Sequence, residues 1–171
     1  MKILLILVGA VIFAIVLVVG TGYLLPKHHV ATRAAVYRAT PDQLYAYIAG
    51  PQNWRPEVLH SELDNGPNGQ RILRESTRDG NEMVYEISAC DFPKSLTRRI
   101  IGKNLPFDGS WTYTLQPSSS GTTVRITEDA NIYNPVFRFM SRFILGYTGT
   151  MEKYLRALGS ATGQPQVQIA N

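Results

Sequence analysis

From Ile3 to Leu25 the chain carries no charged residue, and sixteen of these 23 positions are Leu, Ile, Val or Phe. As a helix rising about 1.5 Å per residue the stretch reaches about 35 Å, against about 30 Å of bilayer hydrocarbon. Each of the sixteen favours insertion by about 0.3–0.6 kcal/mol, several kcal/mol in sum. A cleaved secretory signal is the competing reading, because Lys2 supplies a minimal basic end and Gly20-Thr21-Gly22 a small-x-small pattern. Signal cores run to about 7–15 apolar residues, whereas this one continues from Ile3 to Val19 and resumes at Tyr23-Leu24-Leu25. The length therefore favours a retained single-pass membrane anchor over residues 1–27, with Tyr23 at the interface and Pro26-Lys27 at the exit. The side of the membrane on which the remainder lies stays open, since the two flanks differ little in Lys and Arg.

About 145 residues follow, the size of one ordinary domain. Lys and Arg number 17 against 13 Asp and Glu. The excess is dispersed apart from Arg98-Arg99, so a dedicated nucleic-acid surface is not indicated. Cys90 is the only cysteine, which excludes an internal disulfide and a thiolate cluster. His28, His29 and His60 have no partners at zinc-ligand spacing, so no metal and no cofactor is expected.

Val30 to Ala39 has a strand-like composition, and Thr40-Pro41-Asp42-Gln43 then combines a cap, a first-turn proline and a capping-box Gln. That helix ends at Gly50-Pro51, and residues 51–58 read as a second short helix or turn. Strands are expected at 59–63, 71–78, 82–89, 95–101, 110–116 and 122–132, with Asp79-Gly80-Asn81 a hairpin signal. Met83, Tyr85, Ile87 and Ala89 alternate with polar residues, as do Trp111, Tyr113 and Leu115, which predicts an antiparallel sheet with one buried face. Asn134-Pro135 restarts a helix predicted to run to Leu158 before Gly159 stops it. Its stripe of Val136, Met140, Phe143, Tyr147, Met151, Tyr154 and Leu158 must lie along the sheet. Residues 160–171 are expected to be a flexible tail.

The predicted class is thus α+β: a curved antiparallel sheet around a long C-terminal helix, the helix-grip arrangement, preceded by one transmembrane helix. Over about Val30 to Leu158 the chain resembles the START and Bet v 1-like superfamily of lipid-transport and polyketide-cyclase proteins. The resemblance rests on the Ala39-Thr40-Pro41 helix start, the Asn53-Trp54 turn, Leu105-Pro106-Phe107 before Ser110-Trp111-Thr112-Tyr113, and Gly121-Thr122-Thr123-Val124 leading to Asn134-Pro135.

What the resemblance implies is an apolar cavity between sheet and helix, within a domain at 28–159. Its expected ligand-binding residues are Tyr85, Ile87, Trp111, Tyr113 and Glu128 from the sheet, with Met140, Phe143, Tyr147 and Met151 from the helix. A core filled by these same side chains is the plain alternative. Glu128 falls on the apolar parity of its strand, where an unpaired carboxylate is costly to bury; Arg74, Arg98, a water or a polar ligand group would be its partner. The leading expectation is a membrane-tethered domain whose partner is a lipid or other hydrophobic small molecule. The alternatives are a cyclase- or dehydratase-like enzyme using Glu128, and a non-catalytic interaction module. No nucleophile–base set or nucleotide loop is present to support catalysis. Lys103 to Phe107 is expected to be a gate, a membrane-touching tip or a plug of the core.

Overall fold

The computed structural model describes residues 1–102 and 105–170. Helix α1, Lys2–Leu24, ends where Leu25 turns extended ahead of Pro26. It is long and apolar enough to cross a membrane, and its large side chains from Ile3 to Leu17 face away from the rest of the fold. Only at its C-terminal end does α1 meet the domain, where Gly22 is buried.

An eight-stranded sheet follows, all pairings antiparallel: β1 His28–Tyr37, β2 Val58–Asn65, β3 Arg71–Thr77, β4 Glu82–Asp91, β5 Ser95–Ile100, β6 Phe107–Ser118, β7 Gly121–Ile132 and β8 Ile169–Ala170. The order β2-β3-β4-β5-β6-β7-β1-β8 brings the first strand beside the last long one. Cross-strand partners share a face, so the registers define the inner side: Leu73 opposite Tyr85, Ile87 opposite Arg98, Arg98 opposite Trp111, Trp111 opposite Glu128, and Glu128 opposite Ala31. The outer side is polar and rich in Thr, with hydroxyl pairs Thr97–Thr112 at 3.1 Å and Thr32–Thr127 at 3.3 Å. A bulge between Ile87 and Ala89 flips the parity of β4, so Ala89 leaves the inner face on which its alternation had placed it and is exposed.

Helix α2, Pro41–Ala49, begins with the expected capping box. Its last carbonyls, which no helical amide can reach, are met by side chains. Gln52 donates to Tyr47 and Gly50, Trp54 to Tyr47, Arg71 to Ala49 and Arg98 to Ile48. Residues 51–57 form turns, with no second helix; the Asn53 amide clasps both the N–H and the C=O of Ser61 on β2.

The predicted single C-terminal helix is instead broken. Helix α3, Pro135–Met140, loosens into a π-helical turn, Ser141–Leu145, and helix α4, Gly149–Ala161, resumes after an interruption. Gly146 lies at φ 73°, ψ 153°, a region essentially confined to glycine, and with Gly149 it makes this the weakest stretch of the helical pattern. The end of α4 is also displaced: the chain passes through Gly159 and stops where Gly163 takes positive φ. The tail is not loose, because Val167 is buried against the core and Ile169–Ala170 pairs with β1.

The core lies between α4, α2 and the inner face, where Leu44, Ile48, Leu96, Leu115, Ile126 and Leu155 are fully or almost fully enclosed. Tyr37 donates to the Leu155 carbonyl at 2.7 Å, and Arg33 reaches Glu152 at 3.0 Å, so β1 holds α4 by polar links as well as packing. Replacing Gly146 by Ala should lower stability by about 1–3 kcal/mol, the usual cost of forcing a side chain into such a conformation. Chemical denaturation of the full chain in detergent would measure it; unchanged or raised stability would mean that the chain prefers an unbroken helix there.

Candidate functional site

Two polar clusters occupy the inner face. The first lies under the end of α2. Glu75 on β3 and Arg98 on β5 are both buried, and Arg55 from the turn before β2 joins them. Arg55 Nη1 donates to Glu75 Oε2 at 3.0 Å, and Arg98 Nη1 stands 3.9 Å from Glu75 Oε1. Both guanidinium groups rest on aromatic rings, Arg55 5.4 Å from the centre of Tyr154 and Arg98 5.3 Å from that of Tyr113. Burial pushes the Tyr113 and Tyr154 phenols up, so both stay neutral, and Tyr154 donates to Gln52 Oε1 at 3.1 Å. Arg55 also donates from Nε and Nη2 to Glu57 Oε1, at 2.8 and 2.7 Å, so the two arginines are matched by two carboxylates, one buried and one exposed, and the carbonyl end of α2 adds a further acceptor for Arg98.

The second cluster sits further along the same face, at the edge of α4, whose Tyr154 ring lies 5.8 Å from that of Trp111. Glu128 accepts from the Trp111 indole N–H through Oε2, and its Oε1 lies 2.8 Å from His29 Nε2. The His29 ring stacks on Tyr147 with centres 4.2 Å apart. The His29 and Glu128 side chains are 11% and 16% exposed, enclosed but within reach of solvent. Glu128 is therefore paired by a tryptophan and a histidine, while the arginines considered for it are engaged elsewhere, Arg74 near Asp64 and Arg98 beside Glu75.

The residues expected to line a ligand site divide along this axis. Tyr113, Ile87 and Met151 are buried in the core, with Tyr113 and Tyr154 rings 5.4 Å apart. Tyr85, Trp111, Glu128, Met140 and Tyr147 are half-buried. Phe143 leaves the group: with the helix broken, it is 58% exposed and its ring packs on Phe139. Leu105 and Phe107 are half-buried, Phe107 as the first residue of β6 opposite Ile132, and Lys103 and Asn104 lie outside the described residues. Two depressions of about 460 and 350 Å³ are surface grooves, one between Pro41, Lys94 and Leu115, the other between Arg38, Gln43 and Gln164. Neither adjoins the two polar clusters, and neither gathers ionisable groups in a geometry suited to chemistry.

Sequence reasoning missed Glu75, Arg55, His29 and Gln52. Two were readable by alternation: Glu75 shares parity with Leu73, and His29 with Ala31, Ala35 and Tyr37. Arg55 and Gln52 sit in turns, where no periodicity points a side chain inward.

The first cluster behaves as a unit. Glu75→Leu, which strands Arg98 beside no counter-charge, should cost about 3–5 kcal/mol, and the double variant Glu75→Leu with Arg98→Met should recover most of that loss. Denaturation of the four chains of this cycle checks it; additive losses would show that the pair is not coupled.

Comparison with known proteins agrees with this architecture. No curated protein matches the sequence. Among solved structures, norcoclaurine synthase from Thalictrum flavum superposes with a TM-score of 0.60 at 14% identity, covering 80% of this chain and 87% of the enzyme. The di-domain aromatase/cyclase StfQ of the steffimycin biosynthetic pathway gives 0.60 at 16% identity, covering 80% of this chain and 51% of its own length. An uncharacterized protein from Bacillus thuringiensis gives 0.57 at 16%, covering 79% and 98%. At such identities these likenesses establish the shared Bet v 1-like fold alone. The model of the family described as polyketide cyclase / dehydrase and lipid transport matches residues 27–161, and the chain belongs to that family.

Proposed function

We propose that the domain binds a hydrophobic small molecule or lipid on the inner face of the sheet, at the end that α4 leaves uncovered, and that α1 holds it at a bilayer. One observation carries the reading. Along a single strand the inward side chains pass from fully enclosed at Tyr113, beneath α4, to half-accessible at Trp111. The same change recurs at Tyr147, which is half-buried and stacked on His29 beside Glu128. Wide apolar surfaces with one fixed polar end suit a ligand that is mostly hydrocarbon with a single hydrogen-bonding group.

The tether is supported by how α1 ends. A Cβ on Gly22 would fall 2.0 Å from the Pro135 carbonyl oxygen, so the helix and the domain are in backbone contact there. Arg138, buried, donates from Nη1 to the Leu25 carbonyl at 2.8 Å. A segment destined for removal has no use for such a fit. Tethering raises the concentration of the domain at the lipid surface without adding a contact.

The His29–Glu128 pair favours one further reading, acid–base catalysis on a bound molecule, with Glu128 orienting the imidazole. Its mark would be turnover abolished by Glu128→Gln in a chain that still folds and retains its ligand.

Extraction of the full chain purified in mild detergent should release an apolar molecule in near-stoichiometric amount, identified by mass spectrometry. The Trp111→Ala, Tyr147→Ala double variant should retain about tenfold less, the loss expected for about 1.4 kcal/mol of contact. Equal content in the two chains, or none in either together with no binding of a fatty-acid probe, would contradict the proposal and favour an interaction module.

A further inference from the structure

Residues 135–145 present a second apolar surface, separate from the inner face. Val136, Phe137, Phe143 and Ile144 are all exposed, Ile144 by 62%. Val136 and Phe143, and Phe137 and Ile144, are each seven residues apart, about two helical turns, along α3 and the π-helical turn, which places the members of each pair on one side of the segment. Arg138 is buried, and Phe139 is partly buried with its ring packed on that of Phe143. Among the described residues all four side chains stay open to the surroundings. Exposing two phenylalanines and an isoleucine side by side is unusual for a surface that meets only water.

Its position identifies what it meets. The stripe belongs to the element locked to the end of α1, through the Gly22–Pro135 backbone contact, the Arg138 bond to the Leu25 carbonyl, and the Arg138 guanidinium 5.8 Å from the Tyr23 ring centre. If α1 crosses a bilayer, Tyr23 to Leu25 lie at its surface, and α3 lies there too. The charge pattern agrees. No Asp or Glu occurs in residues 1–41 or 130–151, whereas Lys27, Arg138 and Arg142 do. Asp108 is engaged by Tyr133 and Asn131, and Asp129 by His28.

We propose that residues 135–145 form an interfacial membrane-docking surface that lies in the headgroup layer of the same bilayer that α1 enters, with Phe137, Phe143 and Ile144 dipping toward the acyl chains and Arg142 among the phosphates. An apolar helical face buried about 5–10 Å into that boundary is the usual geometry of such elements. Docking there sets the half-open end of the inner face beside the lipid, since Tyr147, which stacks on His29, follows the stripe on the same stretch of chain. The proposal rests on α1 being a retained span, and its test separates the two.

In the full chain carrying Cys90→Ser, a single cysteine is introduced as Ile144→Cys, or at Ser119 in the exposed β6–β7 turn as a control. Each is labelled with the environment-sensitive fluorophore NBD and reconstituted in vesicles of phosphatidylcholine and phosphatidylglycerol. The label at 144 should emit to the blue of that at 119 and be quenched several-fold more by brominated lipid; Phe137→Cys, labelled likewise, should behave as 144 does. Water-like emission at 144 and 137 from a chain that resists alkaline extraction would overturn the docking surface and leave the span standing. A blue shift without bromolipid quenching would assign the stripe to a protein contact and overturn it as well. Release of the chain by alkali would remove the span, and this proposal with it.

Discussion

The interruption at Gly146 divides the C-terminal helical region between two tasks. Had the helix run unbroken from Pro135, one rigid rod would have had to serve both the sheet and the exit of α1. Instead α4 is free to lie flat on the inner face, with Met151, Tyr154, Leu155 and Leu158 all buried. The preceding turns remain attached to α1 through Gly22 and Arg138. The cost is local, a glycine in a conformation closed to other residues and a π-helical turn with weaker hydrogen bonding. The consequence is architectural: α4 seals the inner face around Tyr113, and at Trp111 and His29 its cover passes to Tyr154 and Tyr147.

That division explains the placement of the polar groups. Beneath α4 and α2 the buried charges of Arg98, Arg55 and Glu75 form a closed arrangement with Tyr113, Tyr154 and the carbonyl end of α2, which suits a role in fixing the packing. At the edge of α4, Glu128 and His29 form a smaller pair nearer to solvent, gripped by Trp111 on one side and Tyr147 on the other. A buried carboxylate needs partners wherever it sits; the site proposed above takes the second pair, whose carboxylate is the less buried of the two.

The fold was largely legible in the sequence, because its signals are local. The capping box at Thr40, the turn at Asp79-Gly80-Asn81 and the alternation of Trp111, Tyr113 and Leu115 each act over a few residues, and the corresponding elements formed. Failures came where long-range geometry overrode local pattern. The stripe from Val136 to Leu158 satisfies helical periodicity throughout, yet periodicity cannot weigh two glycines against a helix that must also clear the end of α1. The bulge that turned Ala89 outward and the pairing of Ile169–Ala170 with β1 likewise depend on neighbours remote in sequence. At the site, Glu128 stood out by parity alone, but its partners did not. His29 lies 99 residues away, and only strand order brings it alongside.

The account turns on whether the uncovered end of the inner face admits an apolar molecule, and Trp111 is placed to report it. Trp54 and Trp111 are the only tryptophans, so the full chain with Trp54→Phe isolates the emission of the residue that holds Glu128. Titration with a brominated fatty acid should quench that emission saturably, and an unbrominated fatty acid should restore it. Emission that stays unchanged throughout, from a folded chain, would contradict the account.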